Sequence, residues 1–135
     1  MNTTIIAETW YALGNRQAEF VEAFYGRFFE RFPGYRRFFP QTLRPAHLDK
    51  MLQTMALMAK LSEDPTVIAP HMHRLGAEHK PYDLKPHDFD NFKAVFLEVL
   101  GEYLGMRWVP AASQAWSDAF DQVLVPLMRE GMSKK

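Results

Sequence analysis

The sequence predicts an all-α fold, and three observations carry the prediction. Every periodic stretch has helical spacing, and no alternating strand pattern reaches a useful length. Proline and glycine fall between those stretches, where they act as stops and corners. The 135 residues are 47% hydrophobic and 14% aromatic, with 11 Phe. That is enough for one domain, residues 1–135, that buries roughly two thirds of its unfolded surface. Six or more unequal segments with sharp corners favour crossed helices over the long uniform helices of a four-helix bundle.

Taken in order, Thr3 or Thr4 caps a first helix that carries Ile6 and Trp10 and ends near Gly14-Asn15. A second helix, from about Arg16 to Arg31, spaces Phe20, Phe24 and Phe28 by four and stops at Pro33-Gly34. A short segment from Tyr35 to Phe39 ends at Pro40. Pro45 opens the third helix, where its missing N–H costs nothing. Leu48, Met51, Leu52, Met55 and Met58 form its inner face. Asp64-Pro65 opens the fourth, in which Ile68, Met72, Leu75 and His79 fall at i, i+4, i+7 and i+11. Pro81 cannot continue that helix and is expected to push Lys80 out of the helical region. After Pro86 a fifth helix carries Phe89, Phe92, Phe96, Leu100 and Tyr103 and stops at Gly105. Pro110 starts the last, with Trp116, Phe120, Val123 and Leu127 inward and Gly131 at its end. Only Ser133-Lys134-Lys135 is expected to fray.

Composition removes several classes of function. Sixteen basic and sixteen acidic residues balance, so no global field draws in nucleic acid or anionic lipid. With no cysteine there are no disulfides, thiolate metal sites, iron–sulfur clusters or cysteine nucleophiles, which suits the cytoplasm. The start, Met1 to Glu8, has neither a basic region nor a sustained apolar run, so no signal peptide is expected. No stretch reaches the ~20 apolar residues of a membrane span. A zinc-type His-x-x-x-His with a following glutamate and a Gly-rich phosphate loop are both missing.

His79 is the most informative residue. Its stripe must face inward, so the last turn of the helix delivers an imidazole into an apolar interior, a placement that suits an axial metal ligand. A core histidine bonded to a backbone carbonyl occupies such positions more often, and spacing alone favours that reading. His47 and Met51 lie one turn apart and project to the same side. On spacing alone, His47 reads as a surface histidine near a helix start and Met51 as core filler. His71, His73 and His87 read as exposed.

Several stretches in register shift that balance. These are Phe24-Tyr25-Gly26-Arg27-Phe28-Phe29-Glu30-Arg31-Phe32-Pro33 running on to Phe38-Phe39-Pro40, then Lys50-Met51-Leu52-Gln53, then Leu75-Gly76-Ala77-Glu78-His79-Lys80-Pro81-Tyr82 with Lys85-Pro86, and finally Ala115-Trp116. In combination they resemble the globin family, particularly the bacterial single-domain globins related to the haem domain of flavohaemoglobins. The resemblance implies a globin fold, six to eight helices crossing around a haem pocket, with haem b as cofactor and His79 as the proximal ligand of its iron. It places Phe39 against the haem plane, a role that is also ordinary core packing. It gives His47 the distal position and Tyr25 a second distal place, each a hydrogen-bond donor to a bound gas. Met51 narrows that pocket with a long thioether. Whether His47 or Met51 ligates iron in the gas-free state stays open. Lys50 falls where basic residues reach a haem propionate; Arg44 and Lys80 are weaker candidates, and for all three a solvated cation is the plainer alternative.

The chain also departs from that family. Flavohaemoglobins carry a tyrosine and a glutamate beside the proximal histidine, where this sequence has Phe89 and Gly131. Glu130 is adjacent but out of phase by about 100° of helix. The expected function is therefore reversible binding of oxygen or another diatomic ligand, such as CO or NO, for storage or delivery. The alternatives are a nitric-oxide dioxygenase served by a separate reductase, a haem-free interaction module, and a gas sensor. Monomer and homodimer are equally compatible with the sequence.

Overall fold

The computed structural model describes residues 1–39, 45–61 and 66–133. The roles expected of Pro40, Arg44, Asp64-Pro65 and Lys134-Lys135 lie outside these residues. The α-helices are α1 (Thr3–Ala12), α2 (Gln17–Arg31), α3 (Pro45–Ala59), α4 (Ile68–His79), α5 (Pro86–Leu104), α6 (Pro110–Ala119) and α7 (Val125–Ser133). Short 3₁₀ turns follow α1, α2, α4 and α5, and a π-helical turn, Phe120–Leu124, joins α6 to α7. Among the described residues there is no strand, and no helix is long and apolar enough to cross a membrane. The all-α expectation is met.

Four local expectations are corrected. The cap of α1 is Asn2, whose Oδ1 accepts from the Ile5 N–H at 3.1 Å, so the helix starts at Thr3 itself. Lys80 keeps helical dihedrals. It opens a 3₁₀ turn, and its N–H takes the Ala77 carbonyl that Pro81, lacking an N–H, cannot bond. The last helix is not continuous. Pro126 in the first turn of α7 deprives the preceding turn of a regular bond, and there the chain widens into the π-turn. Nor does Gly131 end that helix, which continues to Ser133.

Gly131 serves instead to let two helices touch. A Cβ there would lie 2.2 Å from the His73 carbonyl oxygen, and one on Gly76 would lie 2.1 Å from that of Met128. Each glycine thus faces the other helix's backbone, and α4 packs chiefly on α7 through this pair. This crossing sets where α4 places its last residue, His79.

The core lies where α2, α5 and α6 meet α1. Phe20, Phe24, Phe96 and Trp116 are completely buried and touch edge-on or tilted, with Phe20 and Phe96 centroids 5.2 Å apart. Trp116 Nε1 donates to Thr9 Oγ1 at 2.8 Å, and that hydroxyl donates in turn to the Ile5 carbonyl at 2.7 Å. One indole and one hydroxyl are thereby buried with their hydrogen bonds made.

Candidate functional site

The inner faces of these helices do not close completely. They leave a cavity of about 330 Å³, within the roughly 300–1,000 Å³ range of small-molecule sites. Tyr25 of α2, Phe38 and Phe39 of the following corner, and His47, Lys50, Met51, Thr54 and Met55 of α3 line one side. Met72, Leu75, Glu78 and His79 of α4 line the other, with Phe89 and Phe92 of α5 and Phe120, Leu124 and Val125 around the π-turn. Every site residue singled out in the sequence, Tyr25, Phe39, His47, Lys50, Met51 and His79, borders this single space.

His79 Nδ1 lies 2.7 Å from the Leu75 carbonyl oxygen, one turn earlier in its own helix. A carbonyl only accepts, so Nδ1 carries a proton, and in the neutral imidazole the lone pair falls on Nε2. The sequence alternatives, a carbonyl-bonded core histidine and a metal ligand, are thus compatible, since the carbonyl bond is what fixes a ligating tautomer. Among the described residues no three His, Cys, Asp or Glu side chains cluster to hold a bare metal ion. A lone imidazole beside an aromatic cavity fits a flat ligand that brings the other donors to its metal itself.

Facing His79 from α3 is His47, whose Nδ1 is buried without a hydrogen-bond partner among the described residues. A buried polar atom left so is costly, and a ligand in the cavity is one source of the partner. Its ring sits 6.2 Å from that of Phe39, which meets Tyr25 edge-on at 5.7 Å. Burial pushes the Tyr25 phenol up to about 12, so at neutral pH the hydroxyl is protonated and able to donate. Met51 is buried beside them. Lys50 is paired with Glu78 at 3.0 Å across the gap between α3 and α4.

Two histidines read as exposed are not. His71 is half-buried, its Nε2 2.8 Å from Thr54 Oγ1, and its pKa is lowered chiefly by burial. His73 is half-buried and bonds Glu130 at 2.7 Å. Helix phase alone put both outside; close packing of α4 on its neighbours covers them. His87 is exposed as expected. With Gly131 against the His73 carbonyl and Glu130 turned to His73, α7 presents no carboxylate to His79.

The sequence reading missed Thr54 and Tyr35. Thr54 is buried in the cavity wall, and its position was legible: His47, Met51, Thr54 and Met55 fall at i, i+4, i+7 and i+8. Tyr35 borders the cavity from the corner after α2 and donates to Asp88 Oδ1 at 2.5 Å, tying that corner to the first turn of α5. Nothing in the local pattern marked that long-range bond.

Comparison with known proteins agrees with this geometry. The family model described as Globin matches residues 22–125, the greater part of the chain. Extracellular globin-1 of Lumbricus terrestris is 30% identical over 79 residues, 58% of this chain. That alignment spans 54% of the annelid protein's own length. An anaerobic nitrite reductase of Gossypium hirsutum is 21% identical over 93% of this chain and 86% of its own. An anaerobic nitrite reductase of Oryza sativa subsp. indica is 24% identical over 96% of this chain and 92% of its own.

Proposed function

The chain belongs to the globin family, and we propose that within its haem-binding, oxygen-binding role His79 is the protein's ligand to the haem iron. The observation that carries this is the Nδ1 bond to the Leu75 carbonyl, which leaves Nε2 as the ring nitrogen without a backbone bond in a residue that lines the cavity. Bound haem would supply an iron that takes up oxygen or another diatomic gas. Phe39 packs on the ring, and Met51 sets the height of the gas pocket. Lys50 would reach a haem propionate with a second N–H of its ammonium while another stays on Glu78. Tyr25 and His47 would donate to the gas: the first is protonated at neutral pH, and the second has a buried nitrogen without a partner among the described residues. We take the cofactor to be haem b, the setting to be the cytoplasm, and the branch to be the bacterial single-domain one. That branch rests on the motifs around Tyr25, Met51 and His79, since the relatives named above come from an annelid and two plants.

The accompanying chemistry is reversible binding. A carboxylate on the proximal imidazole makes it more anionic and favours oxygen activation; here a backbone carbonyl takes its place. Nitric-oxide dioxygenation with a separate reductase is therefore the second reading, and the plant relatives' names keep nitrogen-oxide chemistry in view. Absorption spectra of haem-supplemented protein in ferric, deoxy and CO-bound forms test the main reading. A Soret band that shifts reversibly with CO is expected; protein that takes up no haem would leave only the fold.

A further inference from the structure

A second, smaller cavity of about 80 Å³ opens beside the first. Lys50 and Gln53 of α3 form one wall, and His71, Arg74, Leu75 and Glu78 of α4 form the other. Lys50, Leu75 and Glu78 border both cavities, so the Lys50–Glu78 ion pair stands in the partition between them. One water needs about 10–15 Å³ measured this way, so the space takes a cluster of several atoms.

Its chemistry is donor-rich. Thr54 Oγ1 donates to the Lys50 carbonyl at 2.9 Å and so accepts from His71 Nε2, which fixes the imidazole. Glu78, the only carboxylate in the lining among the described residues, is occupied by Lys50. Among the described residues no carboxylate pairs with Arg74. That leaves a guanidinium fork and an amide facing one small space with net positive charge. A fork of parallel N–H groups matches two oxygens of one anion.

We propose that this pocket holds a small inorganic oxyanion at the threshold of the large cavity, between the Arg74 guanidinium and the Gln53 amide. It is a waiting place for an anionic ligand separate from the iron position. Sharing the Lys50–Glu78 partition, it stands at the edge of the haem cavity.

The test is nitrite titrated into haem-loaded, CO-saturated protein at constant ionic strength, followed by proton–nitrogen NMR of the Arg74 and Gln53 side chains. Saturable binding at one site is expected, with a dissociation constant on the order of millimolar for so open a pocket. Arg74→Gln weakens it roughly ten-fold or more, the loss of a charge-assisted hydrogen bond. Gln53→Leu weakens it with the charge intact, and Arg107→Gln leaves it unchanged. Shifts reproduced by chloride, or binding retained in both pocket variants, overturn the proposal. So does binding confined to haem-free protein, which would mean that a carboxylate of the cofactor fills the pocket.

Discussion

Burial lifts the Tyr25 phenol to about 12 from its ordinary 10, and two measurements follow from that one position. In the folded chain the proton is held more tightly than in the unfolded one. The stability it represents is complete below pH 10 and is lost as pH rises toward 12, amounting to roughly 3 kcal/mol for two pH units. Urea unfolding of Tyr25→Phe should therefore fall less steeply above pH 10 than that of the wild type; parallel curves would mean that the phenol is not buried. At neutral pH the same hydroxyl is a donor to bound oxygen. Such a bond contributes roughly 1.5–3 kcal/mol, so stopped-flow oxygen release should speed up by one to two orders of magnitude in Tyr25→Phe. Unchanged release would remove Tyr25 from the gas pocket. The residue scale was the most legible part of the site, because Tyr25, Phe39, Met51 and His79 each stand in a local motif. His71 and His73 were misjudged because their partners lie on other helices.

Between helices, the crossing of α4 on α7 does the positioning. A Cβ on Gly76 or Gly131 would overlap backbone of the other helix, with no flexible side chain to yield. Alanine at either must push the helices apart, costing roughly 1–3 kcal/mol or more for overpacking, and should also hasten haem loss, since α4 ends in His79. Gly26 is the contrast. It sits on the exposed side of α2 with nothing within 4 Å of a would-be Cβ, so Gly26→Ala should stabilise by about 0.5–1 kcal/mol through helix propensity. Thermal melts of the three variants check both signs; a neutral Gly131→Ala would mean that α4 and α7 sit further apart. The helices themselves could be read from the sequence because period, proline and glycine are local signals. The close glycine contact could not, since Gly131 at a helix end looks like a stop, and Pro126 gives no hint that the chain will widen into a π-turn instead of breaking.

For the whole molecule, the fold is a set of crossed helices whose aromatic core is complete on one side and open on the other. The closed side, from Trp10 to Trp116, folds around its own contacts; the open side has a cavity walled by α3 and α4 and a buried His47 nitrogen that has no partner among the described residues. A ligand that fills the cavity binds the folded state alone, so haem should raise the melting temperature and slow amide exchange in α3 and α4 more than in α2 and α6. Uniform protection along the chain would contradict this division. The overall class and the pocket were visible in the sequence because the motifs keep their order along the chain; the cavity's second chamber was not, since it exists only where α3 meets α4. The account turns on His79 as the iron ligand. Its most direct measurement is the spectrum of haem-supplemented His79→Gly beside the wild type, with and without added imidazole. The account predicts that the variant loses the wild-type deoxy and CO spectra and regains them with imidazole in solution. A variant that keeps those spectra unaided would contradict it.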